Sequence, residues 1–253
     1  MSHIARVLLQ NIDILLAKSL DKIIVEIKQN LKIYHHLANV LRVKQGEEVV
    51  VFNGHQNASL LCKIAEINKK QIVLIVDSSC INLRSTKTVK RIMVLPLLKK
   101  DNLEDSIKTC TEIGVDEFWF VKTQNCHASE KFINFDRVAE ISSVAAIQCK
   151  INLLPKINQN IFTLQSFIKN AAGTLLLANE HLVGVDKNKP ANTDATGNIF
   201  MLIGPEGGFA KQEVDFVLAN QSSNLLVKNI SLGANILRAS TAATLMAFVG
   251  VGL

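Results

Sequence analysis

Ile203-Gly204-Pro205-Glu206-Gly207-Gly208-Phe209 and Leu232-Gly233-Ala234-Asn235-Ile236-Leu237-Arg238 are the two stretches on which the reading of this chain turns. Each follows an apolar, strand-like run, at 198–202 and 225–230. Each precedes a helix-like one, at 211–219 and 239–249. Two glycine-bearing loops at consecutive strand-to-helix junctions describe a ligand cleft at one edge of a sheet, where open α/β folds bind cofactors. The glycines let backbone come close to a ligand, and Glu206 puts a carboxylate at the loop tip. Neither Gly-x-Gly-x-x-Gly nor Gly-Lys-Ser/Thr occurs, so a dinucleotide fingerprint and a P-loop are unsupported. Alone, Gly-Pro-Glu-Gly-Gly reads equally as a tight turn. Arg238 narrows the choice: a cation at a helix start opposes the helix dipole, which points to an anionic partner or a nucleic acid.

Outward from these loops, strands and helices alternate. A strand is expected at 92–97, then a helix capped by Asp101 that runs to about Ile113 and ends at Gly114. Further strands are expected at 118–121 and 174–178, with a helix at 136–149. Alternation of this kind argues for a largely parallel sheet and an α/β fold. The first 78 residues differ. They read as short strands at 22–27, 49–52, 58–67 and 71–77, with one helix over 34–41, in the manner of a small β-barrel. A polar, cationic linker is expected at 78–88, which gives two domains, 1–78 and 79–253.

The 253 residues carry a net charge of +6, unevenly placed. Residues 79–100 hold Arg84, Lys87, Lys90, Arg91, Lys99 and Lys100 and no acid. That block fits a phosphate-backbone contact as well as it fits a solvated linker. Five scattered cysteines, never spaced Cys-x-x-Cys, argue against a disulfide framework or zinc site and for a reducing cytoplasm. Arg6, Asp13, Lys18 and Asp21 break up the amino-terminal apolar runs, so no signal peptide is expected. The uncharged tail 239–253 is shorter than the ~20 residues that span a bilayer. A buried helix, and no membrane, is the reading.

The two loops resemble those of the RsmE family, the 16S ribosomal RNA uridine-N3 methyltransferases of the SPOUT superfamily. Ile-Gly-Pro-Glu-Gly-Gly-Phe and Leu-Gly-x-x-Ile-Leu-Arg-x-x-Thr-Ala carry the likeness. It extends to Tyr34-His35-His36-Leu37-Ala38-Asn39-Val40-Leu41-Arg42-Val43, to Thr111-Glu112-Ile113-Gly114-Val115, and to Ala145-Ala146-Ile147-Gln148-Cys149. The resemblance implies a carboxyl-terminal SPOUT trefoil-knot methyltransferase domain behind a small PUA-like β-barrel domain. It implies S-adenosylmethionine as methyl donor, a homodimer, and 16S rRNA of the small ribosomal subunit as partner. Carried over by position, the cofactor would sit among Leu177, Ile203, Gly204, Gly208, Ile230, Leu232, Gly233 and Leu237. Arg238 would be the catalytic residue, holding the uracil anion or its phosphate. Arg42, Arg84, Lys87 and Lys90 would contact RNA, no metal is expected, and the helix 239–249 would serve the dimer and the knot.

The chain departs from the family at charged positions. Ser240 replaces a glutamate, Ala234-Asn235 loses a base, Ile147 and Lys150-Ile151 stand where a glutamate and an arginine are usual, and Gln124-Asn125-Cys126 lacks an arginine. Two other readings therefore stay open: a dimeric RNA-binding or ribosome-assembly protein that has lost the chemistry, and a ribose 2′-O-methyltransferase. His181 is a further residue that would face the cleft.

Overall fold

In the computed structural model, which describes residues 4–14, 22–28, 31–83, 89–130, 133–179 and 197–252, the chain divides into two units. One is Met1–Thr86 with Ala146–Leu154, the other Lys87–Ala145 with Pro155–Leu253.

In the smaller unit, β1 (Ala5–Leu8), β2 (Lys22–Lys28), β3 (Glu48–Phe52), β4 (Ala58–Ile67) and β5 (Gln71–Leu83) form a sheet in the order β1-β3-β4-β5-β2. β1 lies parallel to β3, and the other pairs are antiparallel. Residues two apart turn to one face. Val49 and Val51, Leu60, Cys62 and Ile64, and Ile72, Leu74 and Val76 thereby make the core. Two register shifts between β4 and β5 bend the sheet. A helical turn, α1 (Lys32–His35), continues as a π turn over His36–Val40 and buries Tyr34 and Leu37 on the core. The Tyr34 hydroxyl donates to Asn68 O at 2.7 Å. Ile147 and Leu154 pack against the same core.

Two expectations change here. The helix expected over 34–41 begins at Lys32 and ends as the π turn, after which Arg42 takes a φ of +52°. The segment read as linker from Ser78 belongs to β5 as far as Leu83, with Ile81, Asn82 and Leu83 opposite Leu60, Ser59 and Ala58. Backbone pairing with β4, not composition, carries the strand that far.

In the larger unit, β6 (Arg91–Pro96), β7 (Glu117–Lys122), β8 (Lys156–Thr163), β9 (Gly173–Ala178), β10 (Asn198–Leu202) and β11 (Leu225–Ile230) make an all-parallel sheet, order β11-β9-β10-β6-β7-β8. Met93, Leu95, Leu176 and Met201 pack with α2 (Lys100–Ile113), α3 (Phe135–Gln148) and α6 (Ala239–Val251). Their neighbours Ile92, Val94, Leu175, Leu177, Phe200 and Leu202 pack with α4 (Leu164–Asn170) and α5 (Lys211–Ala219). A sheet covered on both faces needs near-continuous apolar strands, and the central strands β6, β7, β9 and β10 are of this kind, whereas the edge strands β8 and β11 carry polar residues.

Gly114 ends α2 at φ +101°, as expected, but Asp101 is not the cap. Lys99 holds that position without a side-chain bond, and Asp101 sits inside the first turn, where its charge suits the dipole. α6 lies on α2, with Thr109 Oγ1 2.8 Å from Thr244 Oγ1. Among the described residues no helix is long and apolar enough to cross a membrane.

Candidate cofactor and RNA site

The carboxyl ends of β9, β10 and β11 open into the two glycine loops, so the loops meet because their strands are neighbours. The first loop is a turn closed by Gly208 N–H to Pro205 O at 2.9 Å. Asn125 pins it from the turn after β7, its amide donating to Gly207 O at 3.2 Å and Gly208 O at 3.1 Å. That approach is why residue 207 is glycine: a β-carbon there would stand 3.0 Å from Asn125 Cβ. In the second loop Ser231 Oγ receives Gly233 N–H and donates to Gly233 O, and Gly233 sits at φ +124° with open space where a side chain would be.

Between the loops lies a narrow cavity of about 70 Å³, walled by Ala178, Asn179, Gly204, Gly208, Leu232 and Gly233 and closed by Leu237, Ala239 and Ala242. A wider space of about 440 Å³ shares Leu237 and Ala239 with it and is completed by Asn102, Glu206, Ile236 and Arg238. Small and aliphatic walls with exposed loop amides suit a flat heteroaromatic ring. The wider space offers polar groups and the first turns of α2 and α6, whose amide ends favour negative charge. Together the two have the size of a site for a nucleoside-like cofactor.

Glu206 is held firmly. Its Oε1 accepts from Lys99 N–H at 3.0 Å and from Asn102 Nδ2 at 2.7 Å. Its Oε2 is buried without a partner among the described residues. Burial pushes the carboxyl up, but the bonds from Asn102 and the Lys99 amide, with the Lys99 charge, outweigh it and hold Glu206 below its ordinary range. Arg238, exposed at the N-cap position of α6, makes no ion pair with a described residue.

Of the residues expected around a cofactor, Gly204, Gly208, Leu232, Gly233 and Leu237 line the narrow cavity. Leu177 and Ile203 do not: both are wholly buried, in the cores on opposite faces of the sheet. Ile230 packs at the edge of one core. Arg238 is in the adjoining space. Lys90 precedes β6, at the opposite end of the sheet from the loops, with its ammonium 3.6 Å from Glu117. Arg42 is exposed in the smaller unit. Arg84, Lys87 and His181 lie outside the described residues. Asn102 and Asn179 went unread. Asn102 comes from the helix after β6, and only the pairing of β6 with β10 brings it here. Asn179 continues β9, where its N–H reaches Ile230 O. No group of three or more metal-ligating side chains occurs among the described residues.

Residues 85–249 match the family model described as RNA methyltransferase domain, and residues 30–77 match the RNA methyltransferase PUA domain. The chain is 27% identical over 212 residues to ribosomal RNA small subunit methyltransferase E of Rickettsia conorii, covering 83% of this chain and 82% of that protein. It is 32% identical over 161 residues to the protein of the same name from Mesomycoplasma hyopneumoniae, covering 61% and 66%. In fold it is similar to ribosomal RNA small subunit methyltransferase E from Neisseria gonorrhoeae, solved bound to S-adenosyl methionine, with a TM-score of 0.75 and 20% identity over 97% of this chain and 95% of that one. With a matching methyltransferase domain across most of its length and a matching PUA domain before it, the chain belongs to the RsmE family of RNA methyltransferases.

Proposed function

We propose that the chain methylates N3 of a uridine in 16S rRNA of the small ribosomal subunit, with S-adenosylmethionine as donor. It would act in the cytoplasm as a homodimer whose carboxyl-terminal helix is threaded in a trefoil knot, with Arg42 and the 84–90 block on RNA. The observation that carries this reading is the joined pair of cavities. One is narrow, small-walled and glycine-lined. The other holds a guanidinium that pairs with no described residue, and the first turns of two helices.

S-adenosylmethionine, when bound, supplies a methyl already activated by its sulfonium. What remains for the chain is to hold the acceptor in line and to stabilise charge. Gly204, Gly208, Leu232, Gly233 and Leu237 would hold the adenosyl group through backbone amides and aliphatic walls. Uridine N3 carries a proton at neutral pH, and losing it leaves a negative charge on the ring. Arg238 and the first turns of α2 and α6 would stabilise that charge. Glu206 is ionised and tied to Lys99 and Asn102, so it orders the site rather than storing the proton.

The test is to incubate the purified chain and labelled cofactor with small ribosomal subunits from a strain lacking the modification, and to map the product by mass spectrometry. Label as 3-methyluridine is expected. Label on a ribose 2′-oxygen would replace the reading with the other methyltransferase. No label, with cofactor still bound, would leave an RNA-binding protein.

A further inference from the structure

Outside these cavities a space of about 600 Å³ opens between the first turn of α2, the turn after β7 and α3. Leu98, Leu103 and Val138, all buried, form its floor, with Ile141 half-buried at the wall. Arg137 lies on the rim but is already engaged. It donates to both oxygens of Glu104, at 3.3 and 3.2 Å, and to Glu140 at 2.9 Å. The Arg137 hydrogen bonds hold the Glu104 carboxyl below its ordinary range, and one guanidinium between two carboxylates leaves this cluster with a net charge of about −1. Lys99 and Lys100 are exposed and form no close ion pair with a described residue. Although their charges act on Glu206 and Glu104, together they outweigh the Arg137 cluster and leave the rim weakly positive. The exposed ring of His127 completes it.

An aliphatic floor under exposed ammonium groups is what an unpaired nucleotide requires: the base leaves water against the floor, and its phosphate meets the cations. The volume is that of a small-molecule site. The space also adjoins the glycine loop. The Lys99 amide holds Glu206, and a β-carbon on Gly207 would stand 3.5 Å from His127 Nε2. We propose that this groove takes one unpaired nucleotide of the RNA strand, beside the nucleotide that enters the site. Its base would lie on Leu98, Leu103, Val138 and Ile141 and its phosphate on Lys99 and Lys100. The inference rests on the RNA-methyltransferase reading above.

The experiment titrates the full chain against a fluorescein-labelled single-stranded oligouridine by anisotropy at several salt concentrations, and measures cofactor affinity by calorimetry. Lys100→Ala should weaken binding and reduce the slope of log affinity against log salt by about 0.7. Ile141→Asn should weaken binding about tenfold with the slope unchanged. Lys169→Ala, at an exposed position of α4, should change neither, and all three should keep wild-type cofactor affinity. Unchanged binding in both groove variants would overturn the groove while leaving methyl transfer intact. So would a wild type that does not bind oligouridine. An Ile141→Asn protein that sediments as monomer where the wild type is dimeric would hand the groove to a second copy. RNA bound through the groove with no methyl transfer to ribosomal subunits would keep the groove and sink the methyltransferase reading.

Discussion

Arg238 and Glu206 face one space with opposite charges, yet among the described residues only the Glu206 side chain has partners, and that asymmetry assigns their roles. A guanidinium that no described residue engages is available to charge that develops during reaction, so Arg238→Ala should lower kcat by about 10²–10³ with cofactor affinity unchanged. Arg238→Lys should recover part of the loss. Stopped single-turnover reactions and calorimetry check this together, and loss of cofactor binding in Arg238→Ala would make the residue a structural one. Glu206 makes a different prediction. Its carboxyl is held below the ordinary value of 4.5, chiefly because the Asn102 and Lys99 bonds overcome burial. A depressed carboxylate contributes stability that is present above its unfolded value and is lost as pH falls through the folded one. The stability of the wild type relative to Glu206→Gln should therefore be constant near neutrality and decline as pH drops below about 4.5. Urea midpoints of both proteins from about pH 7 to about pH 3 measure it. Parallel curves would show that the carboxylate charge does not contribute.

The elements differ in how plainly their residues announce them. β6, β7, β9, β10 and β11 were readable as short apolar runs because both faces of their sheet are covered. β8 was not: it is an edge strand, largely exposed, and its Asn158-Gln159-Asn160 interrupts any apolar run. α4, seven residues long with Thr163 as its cap, offers too few turns for a period to show. The glycine loops of the site were legible, since each lies within one stretch of chain. Asn102 was not, because strand order rather than spacing brings it in. α6 shows a further limit. Its residues are uncharged all round, so its apolar pattern says buried without saying which side. Packing answers: Gly250 faces Met201 of β10, and a β-carbon there would overlap the Met201 sulfur and crowd its Cγ. Alanine raises helix propensity by up to about 1 kcal/mol, less so one residue from the helix end. Overpacking a filled core costs about 1–3 kcal/mol. The second effect wins, and Gly250→Ala should lose about 1–2 kcal/mol of unfolding free energy. An unchanged urea midpoint would mean that Met201 has room to move.

At the scale of the whole molecule, α6 is unfinished in a single chain. Ala239, Ala243, Met246, Ala247 and Gly250 are buried against α2 and the sheet. Thr241, Leu245, Phe248 and Gly252, three or four residues apart, line the opposite side, with Leu245 39% and Phe248 70% exposed. A helix apolar all round is normally covered all round, because leaving a phenylalanine in water forgoes about 1.5–3 kcal/mol of burial. The same side of the helix begins near the site, where Ile236 stands 86% exposed beside Arg238. A second copy laid along α6 would cover Leu245 and Phe248, and the two-fold symmetry of such a contact would set one Phe248 near the other's helix. Charge placed there cannot be desolvated cheaply, so Phe248→Asp should convert a dimer into a monomer in sedimentation velocity. The substituted side chain is exposed in the single chain, so its circular dichroism should be unchanged. If the bare side of α6 also completes the RNA surface, the monomer should bind cofactor but transfer no methyl to ribosomal subunits. A wild type that sediments as monomer, or a Phe248→Asp protein that remains a dimer, would show that α6 is not the surface on which two copies meet.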